Sequence, residues 1–500
     1  MRSTRLMAIT ASLLSLVSGL VYNIAITRKI PTAGLGLLSL LNAALAFSLL
    51  PTALTGFVFP RVTARDGALN ITAAIAVSLM LYLATAVLTV AYLASVWGKM
   101  GTYAWLVLSV ALASEVVYYV QSITNSILMV KNRGAFITAS ITQSITKLLV
   151  IPVIMFLGWS IPAVLWSSVF ITVVPTVYAL VRSLGFHARL RGAVAYLRDL
   201  VNASWVPLMG YAINSFRSLD AMFIGLLGYG QLGIWYVLFI LSKPFSFSST
   251  LVSVTYGELL ERDRWGIVYR DLLLVLVTST YTAITLTVFA PVFLNLVRPS
   301  MEGSFNLLIT PVALAMVSNV MGNANQFLSN VMQGIDKRDI LEESIRARSY
   351  LGSLVLYAHL AELVFTVVYL TTMVPLILVL RGLSIPYYAI NGALISSLMA
   401  NTAAIAFRLN RLGSSRSLFK GRDLVIDYVA PTGIALAVLL SVSRLLSIHL
   451  IPSIWVSLVQ VVEVSLMSAV VYIAALAVSR NNRGLIKYVL RRVIEGLITR

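Results

Sequence analysis

The sequence predicts an all-α membrane protein of fourteen transmembrane helices: two six-helix lobes related by an internal repeat, plus two extra helices, with both termini in the cytoplasm. Three observations predict it: the hydropathy, the side of each loop on which Lys and Arg collect, and a weak internal repeat. Hydrophobic residues make up 59% of the 500 and charged residues 11%, with a mean hydropathy of +0.92. A water-soluble domain carries about 25% charged residues on its surface, so a soluble fold is excluded. One helix needs roughly 20 apolar residues to cross the hydrocarbon layer, and the chain has room for many.

Apolar runs bounded by charges or by Pro and Gly place spans at 6–27, 35–59, 69–95, 103–130, 135–157, 160–181, 204–227, 232–254, 272–296, 306–332, 352–379, 386–407, 425–447 and 454–479. The first follows Arg2 and Arg5 as a signal peptide does, but no small-residue cleavage site follows it, and it reads as a retained helix. With the N-terminus inside, 28 of the 37 Lys and Arg fall in segments assigned to the cytoplasm. Six fall in outer loops: Arg28, Lys29, Lys99, Arg298, Arg381 and Arg444. Short cytoplasmic loops accumulate basic residues, and a span missed or invented mid-chain would destroy this asymmetry.

The net charge of +19 is spread singly or in short groups between apolar runs, as topology determinants are, and no basic face for nucleic acid is expected. The absence of cysteine excludes thiol chemistry, disulfides and Cys-type metal sites. His187, His359 and His449 share no metal-like spacing, so neither a metal nor a cofactor is expected.

The polar stretch 182–203 is the longest connection in the first half. It predicts an N-terminal lobe at 1–200, a C-terminal lobe at 201–412, and a third region at 413–500 holding the last two spans and a surface helix. In that surface helix Ile486, Val489, Leu490, Val493 and Leu497 fall at helical spacing against Lys487, Arg491 and Arg492, the pattern of a helix lying on anionic lipid. A shift of 197 residues aligns Leu35-Gly36 with Leu232-Gly233, each in a Gly-bearing outer turn that enters a span containing a proline, Pro51 or Pro244. A second echo, at an offset near 205, pairs SILMVKNRG at the exit of span four with SNVMQGIDKRD at the exit of span ten. Such repeats mark the halves of transporters.

The stretch SLDAMFIGLLGYGQLGIWYVLFILSKPF, Ser218 to Phe245, resembles the seventh and eighth spans of the oligosaccharide flippases of the multidrug/oligosaccharidyl-lipid/polysaccharide superfamily. Arg217 and Asp220 precede an apolar run, a Gly-rich turn at Gly228 to Gly230, and the step Leu232-Gly233 with Trp235-Tyr236. ITRKIPTAGLGLLSLLNA, NVMQGIDKRD and YYAINGALIS are similar to the family's first turn, tenth-span exit and twelfth span. Where the family has an acidic or polar pair in the first outer turn, this chain has Lys29-Ile30-Pro31-Thr32. The resemblance implies a V-shaped pair of lobes around a cavity that opens alternately to the two sides. It implies as substrate either a lipid-linked sugar with a phosphate or pyrophosphate, or, in the drug-exporting branch, a cationic amphiphile.

Ionisable groups at mid-bilayer cost about 2.5–3.5 kcal/mol and face a cavity or a partner. The deep cations Arg217, Lys243 and Lys147 are the expected ligands of a substrate headgroup. Arg217 and Asp220, three apart on one helical face, can also neutralise each other, and Lys243 and Lys147 can each pair with a neighbouring carboxylate such as Glu115. Glu115, Asp220 and Glu463 are candidates for a coupling proton or sodium ion. Gln121, Asn125, Gln143, Asn323 and Gln326 are candidates for lining a sugar-binding cavity or, alternatively, for hydrogen bonds from helix to helix. His359 and Glu362, near the cytoplasmic end of span eleven, read as an interfacial pair.

The expected function is therefore movement of a lipid-linked oligosaccharide from the cytoplasmic to the outer leaflet of the cell membrane, for surface polysaccharide or protein glycosylation, by a monomer whose partners are that substrate and the surrounding lipid. The alternative is an ion-coupled multidrug exporter of the same superfamily. An enzyme is not expected: no loop exceeds roughly 25 residues, and Glu258, Glu261 and Asp263 lie in a solvated charge run with Arg262 and Arg264.

Overall fold

A computed structural model describes residues 2–48, 71–183, 205–206, 208–246, 248, 268–336, 350–413, 415, 419, 421–446, 448–479 and 482–484. The polar connection at 184–203, Pro51, the charge run at 258–264 and the amphipathic segment at 485–500 lie outside these residues.

The described chain is helical: α1 (Arg2–Lys29), α2 (Thr32–Ser48), α3 (Ile71–Ser95), α4 (Ala104–Lys131), α5 (Arg133–Leu157), α6 (Ile161–Ser183), α7 (Leu219–Leu227), α8 (Leu232–Leu241), α9 (Val268–Val288), α10 (Phe305–Ile335), α11 (Leu354–Gly382), α12 (Tyr388–Arg411), α13 (Ala430–Leu445) and α14 (Ile454–Leu476). Among the described residues, ten helices are long and apolar enough to cross a bilayer, which makes this a multi-pass membrane protein. The four expected spans outside that set, at α1, α2, α7 and α8, are shorter, more polar or run into residues not described.

Local chemistry sets several of the boundaries. Asn132 and Ser353 cap the starts of α5 and α11, their side chains accepting from the backbone N–H of Ala135 and Leu356, each at 3.0 Å. Pro244, which has no N–H, ends the α-helical run of α8 in a 3₁₀ turn over Lys243–Phe245. The ninth expected span is two pieces, α9 and the short helix Ala290–Val297, separated at Phe289 with Pro291 at the new start.

The helices pack as two bundles that mirror one another under a shift of six. In the first, α4 and α5 both pack on α6; in the second, α10 and α11 both pack on α12. A close approach of α11 and α12 is possible because Gly392 lies against Ile377, 2.7 Å from where a Cβ would sit. The pair α13–α14 packs outside them, on α9 and the short helix Ala290–Val297.

The bundles meet through α2 and α8, the two helices that the internal repeat relates. The aligned glycines are neighbours: a Cβ on Gly36 would lie 3.8 Å from the Gly233 nitrogen, and a Cβ on Gly233 would run into the Thr32 carbonyl. Gln231, in the turn before α8, accepts from the N–H of Ala389 and Ile390 at 3.0 and 3.3 Å and so caps the start of α12. The same face is tied by two arginines acting reciprocally. Arg28, in the last turn of α1, donates to Asn295 O at 3.2 Å, Leu296 O at 2.8 Å and Pro452 O. Arg298, just past the short helix Ala290–Val297, donates to Thr27 O, Ile30 O and the Thr32 hydroxyl at 3.1 Å. Each guanidinium thus takes up the free carbonyls at the negative end of the other's helix.

Two outcomes test this closure. Gly233→Val overpacks the α2–α8 seam and should cost about 1–3 kcal/mol, read as a lower thermal unfolding temperature in detergent, whereas Gly98→Ala, with nothing near its Cβ position, should not. Arg298→Gln should let the face part. Because the chain has no cysteine, spin labels on Lys29→Cys and Gly303→Cys would report a new, longer distance component.

Candidate transport cavity

Between the bundles lies a cavity of about 440 Å³, walled by α2, α7, α8, α10, α11 and α12. Helix α7 is preceded by a turn at Ser218, whose hydroxyl donates to Ser215 O at 2.6 Å. The break leaves Arg217 and Asp220 both on the cavity wall. Trp235, Tyr236 and Phe239 of α8 supply aromatic surface. Asn42, Ser318, Asn319 and Ser397 supply amide and hydroxyl groups. Asn319 donates to the Ser242 hydroxyl at 2.8 Å, and the Ser318 and Ser397 hydroxyls lie 2.7 Å apart. Aromatic faces with fixed, neutral hydrogen-bonding groups suit a polyhydroxylated ligand.

Arg217 and Asp220 do not neutralise each other as a pair. Asp220 accepts from the Tyr369 hydroxyl at 3.1 Å and from the Ala221 N–H. Arg217 instead pairs with Glu362, donates from Nε to the Thr366 hydroxyl at 3.2 Å and lies 3.9 Å over the Phe365 ring. Nor are His359 and Glu362 an interfacial pair. His359 packs on Gly210, while Glu362 bridges Arg217 and Arg408. Arg408 falls one residue past the expected twelfth span at 386–407; α12 continues to Arg411 and buries Arg408 completely, where it also meets Ala358 O at 3.1 Å and Asn325 Oδ1. Its seven-residue spacing from Asn401, on the same face of α12, was the available signal. A polar pocket of about 230 Å³ adjoins the central cavity here, and Arg217, Asn323, Gln326, Glu362 and Asn401 line it.

Lys147 and Lys243 are brought together in a third cavity, of about 530 Å³, between α1, α5 and the end of α8. Lys147 does not pair with a carboxylate, and neither does Lys243, among the described residues. The Lys243 ammonium rests 3.9 Å over the Phe239 ring, and Phe239 itself faces the central cavity. The three deep cations therefore divide: Arg217 is held by a carboxylate, and the two lysines face open space.

The other candidates disperse. Glu115 is buried between α3 and α4 and accepts from the Thr89 hydroxyl at 2.7 Å. Glu463 is exposed on α14 and lines a separate cavity with His449 and Gln460. Gln121, Asn125 and Gln143 are half-buried in the first bundle and line none of these cavities. Asn323 is partly spent on helix packing, donating to the Ser279 hydroxyl at 2.9 Å, and Gln326 donates to Asn330 at 3.0 Å.

No family model and no curated protein matches the sequence. Solved structures do match. The lipid II flippase MurJ in an inward closed conformation aligns over 94% of this chain and 100% of its own, with a TM-score of 0.65 and 11% identity. An inward-facing multidrug resistance MATE family transporter of the MOP superfamily aligns over 81% and 96%, with a TM-score of 0.57 and 15% identity. The chain has the MOP fold. A MATE structure in complex with MaL6 agrees, at a TM-score of 0.55 and 16% identity over 83% and 97%. At these identities it is the MOP architecture that is shared, and the α2–α8 seam is the contact where this chain's two halves meet.

Arg408→Met leaves Glu362 its Arg217 partner but strips the buried Glu362 Oε1 and Asn325 Oδ1 of their donor, and should cost about 1–3 kcal/mol. Arg411→Met, at the exposed end of the same helix, should change thermal unfolding by no more than about 0.5 kcal/mol.

Proposed function

We propose that this protein is a fourteen-span flippase, termini inside, that carries a lipid-linked oligosaccharide with a phosphate or pyrophosphate headgroup to the outer leaflet by alternating access. The observation that carries this reading is the pair Lys147 and Lys243: two ammonium groups on facing helices of different bundles, in one cavity, with no carboxylate partner among the described residues. Two like charges in one cleft repel, and an entering anion relieves both by charge-assisted hydrogen bonds. The lysines would take the phosphate, and the adjoining aromatic and amide surface of the central cavity the sugar. The lipid chain would stay in the bilayer. A lipid II flippase with the same fold supports the substrate class.

The alternating step follows from where the bundles touch. They close through the α2–α8 seam and the two arginines, so the cavity is served from the opposite face, and transport requires that seam to part while the other face closes. Asp220, on the cavity wall beside Tyr369, is the group we assign to a coupling proton or sodium ion. The same carboxylate is the observation that favours the second reading, an ion-coupled exporter of cationic amphiphiles.

Proteoliposomes separate the two. With a fluorescent prenyl-pyrophosphate sugar, Lys147→Gln and Lys243→Gln should each slow transbilayer movement about tenfold, the equivalent of one charge-assisted contact. Unchanged rates in both variants, together with ethidium efflux that Asp220→Asn abolishes, would replace the flippase with the exporter.

A further inference from the structure

Glu362 stands where an anionic substrate group would stand against Arg217, and Arg408 explains how it can give up the place. The carboxylate divides its oxygens, Oε2 to Arg217 and Oε1 to Arg408. The two guanidinium groups differ in setting. The Arg408 side chain is 0% exposed and is further held by Ala358 O and Asn325. The Arg217 side chain is 28% exposed and lines both the central cavity and the polar pocket beside it. One is fixed, and the other is within reach of whatever enters.

Glu362 takes one terminal N–H of Arg217 while Nε donates to the Thr366 hydroxyl, and a phosphate oxygen accepts from a guanidinium N–H as a carboxylate oxygen does. An anion in the cavity can therefore engage Arg217 in the geometry Glu362 now fills. Losing Arg217 does not strand Glu362, because Arg408 remains on its other oxygen. Two guanidinium groups against one carboxylate leave this cluster a surplus positive charge. Asp220, on the same stretch of chain as Arg217, is engaged by Tyr369 and the Ala221 N–H. A neutral or cationic ligand has nothing to offer Arg217 in exchange.

We infer that Glu362 is a built-in surrogate anion, which holds Arg217 while the cavity is empty and releases it to the substrate's phosphate, Arg408 retaining the carboxylate. This rests on the headgroup chemistry proposed above, and it adds Arg217 as a ligand that only an anion can recruit.

The test uses the purified full chain in detergent. Binding of geranylgeranyl pyrophosphate and of inorganic pyrophosphate is followed by quenching of tryptophan fluorescence. Glu362→Gln should bind geranylgeranyl pyrophosphate about tenfold more tightly than the parent, and adding Arg217→Gln should remove the gain. Should the single variant not fold, Glu362→Gln with Arg408→Gln removes the buried cation along with its partner and leaves Arg217 available, with the same gain expected. Unchanged or weaker binding by folded variants overturns the surrogate. If the parent binds and Lys147→Gln with Lys243→Gln abolishes binding, the headgroup reading survives that loss. If the parent ignores both probes yet Glu362→Gln captures inorganic pyrophosphate, the surrogate stands and the lipid substrate falls. Silence of every variant towards both probes sinks both.

Discussion

A positive charge fixed within the hydrocarbon layer must find a counter-charge or reach water, and the interior of this protein is organised by the two ways its deep cations meet that demand. Arg217 and Arg408 share Glu362, in a network that joins α7, α11 and α12 within the second bundle. Lys147 and Lys243 have no such partner among the described residues, and they line the cleft where the bundles face each other. The fully buried Arg408 anchors the carboxylate. The open lysines, and Arg217 when Glu362 gives it up, are what is left for a ligand.

The same division runs through the contacts between bundles. On the face of the α1–α2 and α7–α8 turns the seam is tight, because glycines at 36 and 233 let the backbones of the repeat-related helices approach. Further along α8, past Pro244, the helical run ends, side chains grow polar and the cleft opens. Small residues mark the tight end of this contact and charges the open one.

Much of this was legible in the sequence. Hydropathy marked where the apolar helices lie, because a bilayer demands length and apolarity together, but not that the seventh span breaks at Ser218, that the α-helix of the eighth ends at Leu241 or that the ninth divides at Phe289. The 197-residue echo aligns Gly36 with Gly233, and the structure makes them neighbours, as a contact on a pseudo-symmetry axis joins equivalent positions. Single-span reasoning could not see which charges meet. Glu362 and Arg408 lie 46 residues apart on neighbouring helices, and Arg217 bypasses Asp220, three positions along, for a partner on another helix. Pairing of that kind is set by tertiary packing, to which helical periodicity is blind. The sequence marks Lys147 and Lys243 by depth alone; their common cavity depends on how α1, α5 and the end of α8 pack.

The reciprocal arginines of Arg28 and Arg298 are received chiefly by peptide carbonyls. A carbonyl has no proton to gain near neutral or acidic pH, and a guanidinium keeps its own. A lock built from carboxylates would loosen as the surroundings acidify; among the described residues this one has no titratable acceptor, so acidity does not reach its hydrogen bonds. Substitutions elsewhere cannot easily erase it either, since a main-chain oxygen persists whatever residue carries it.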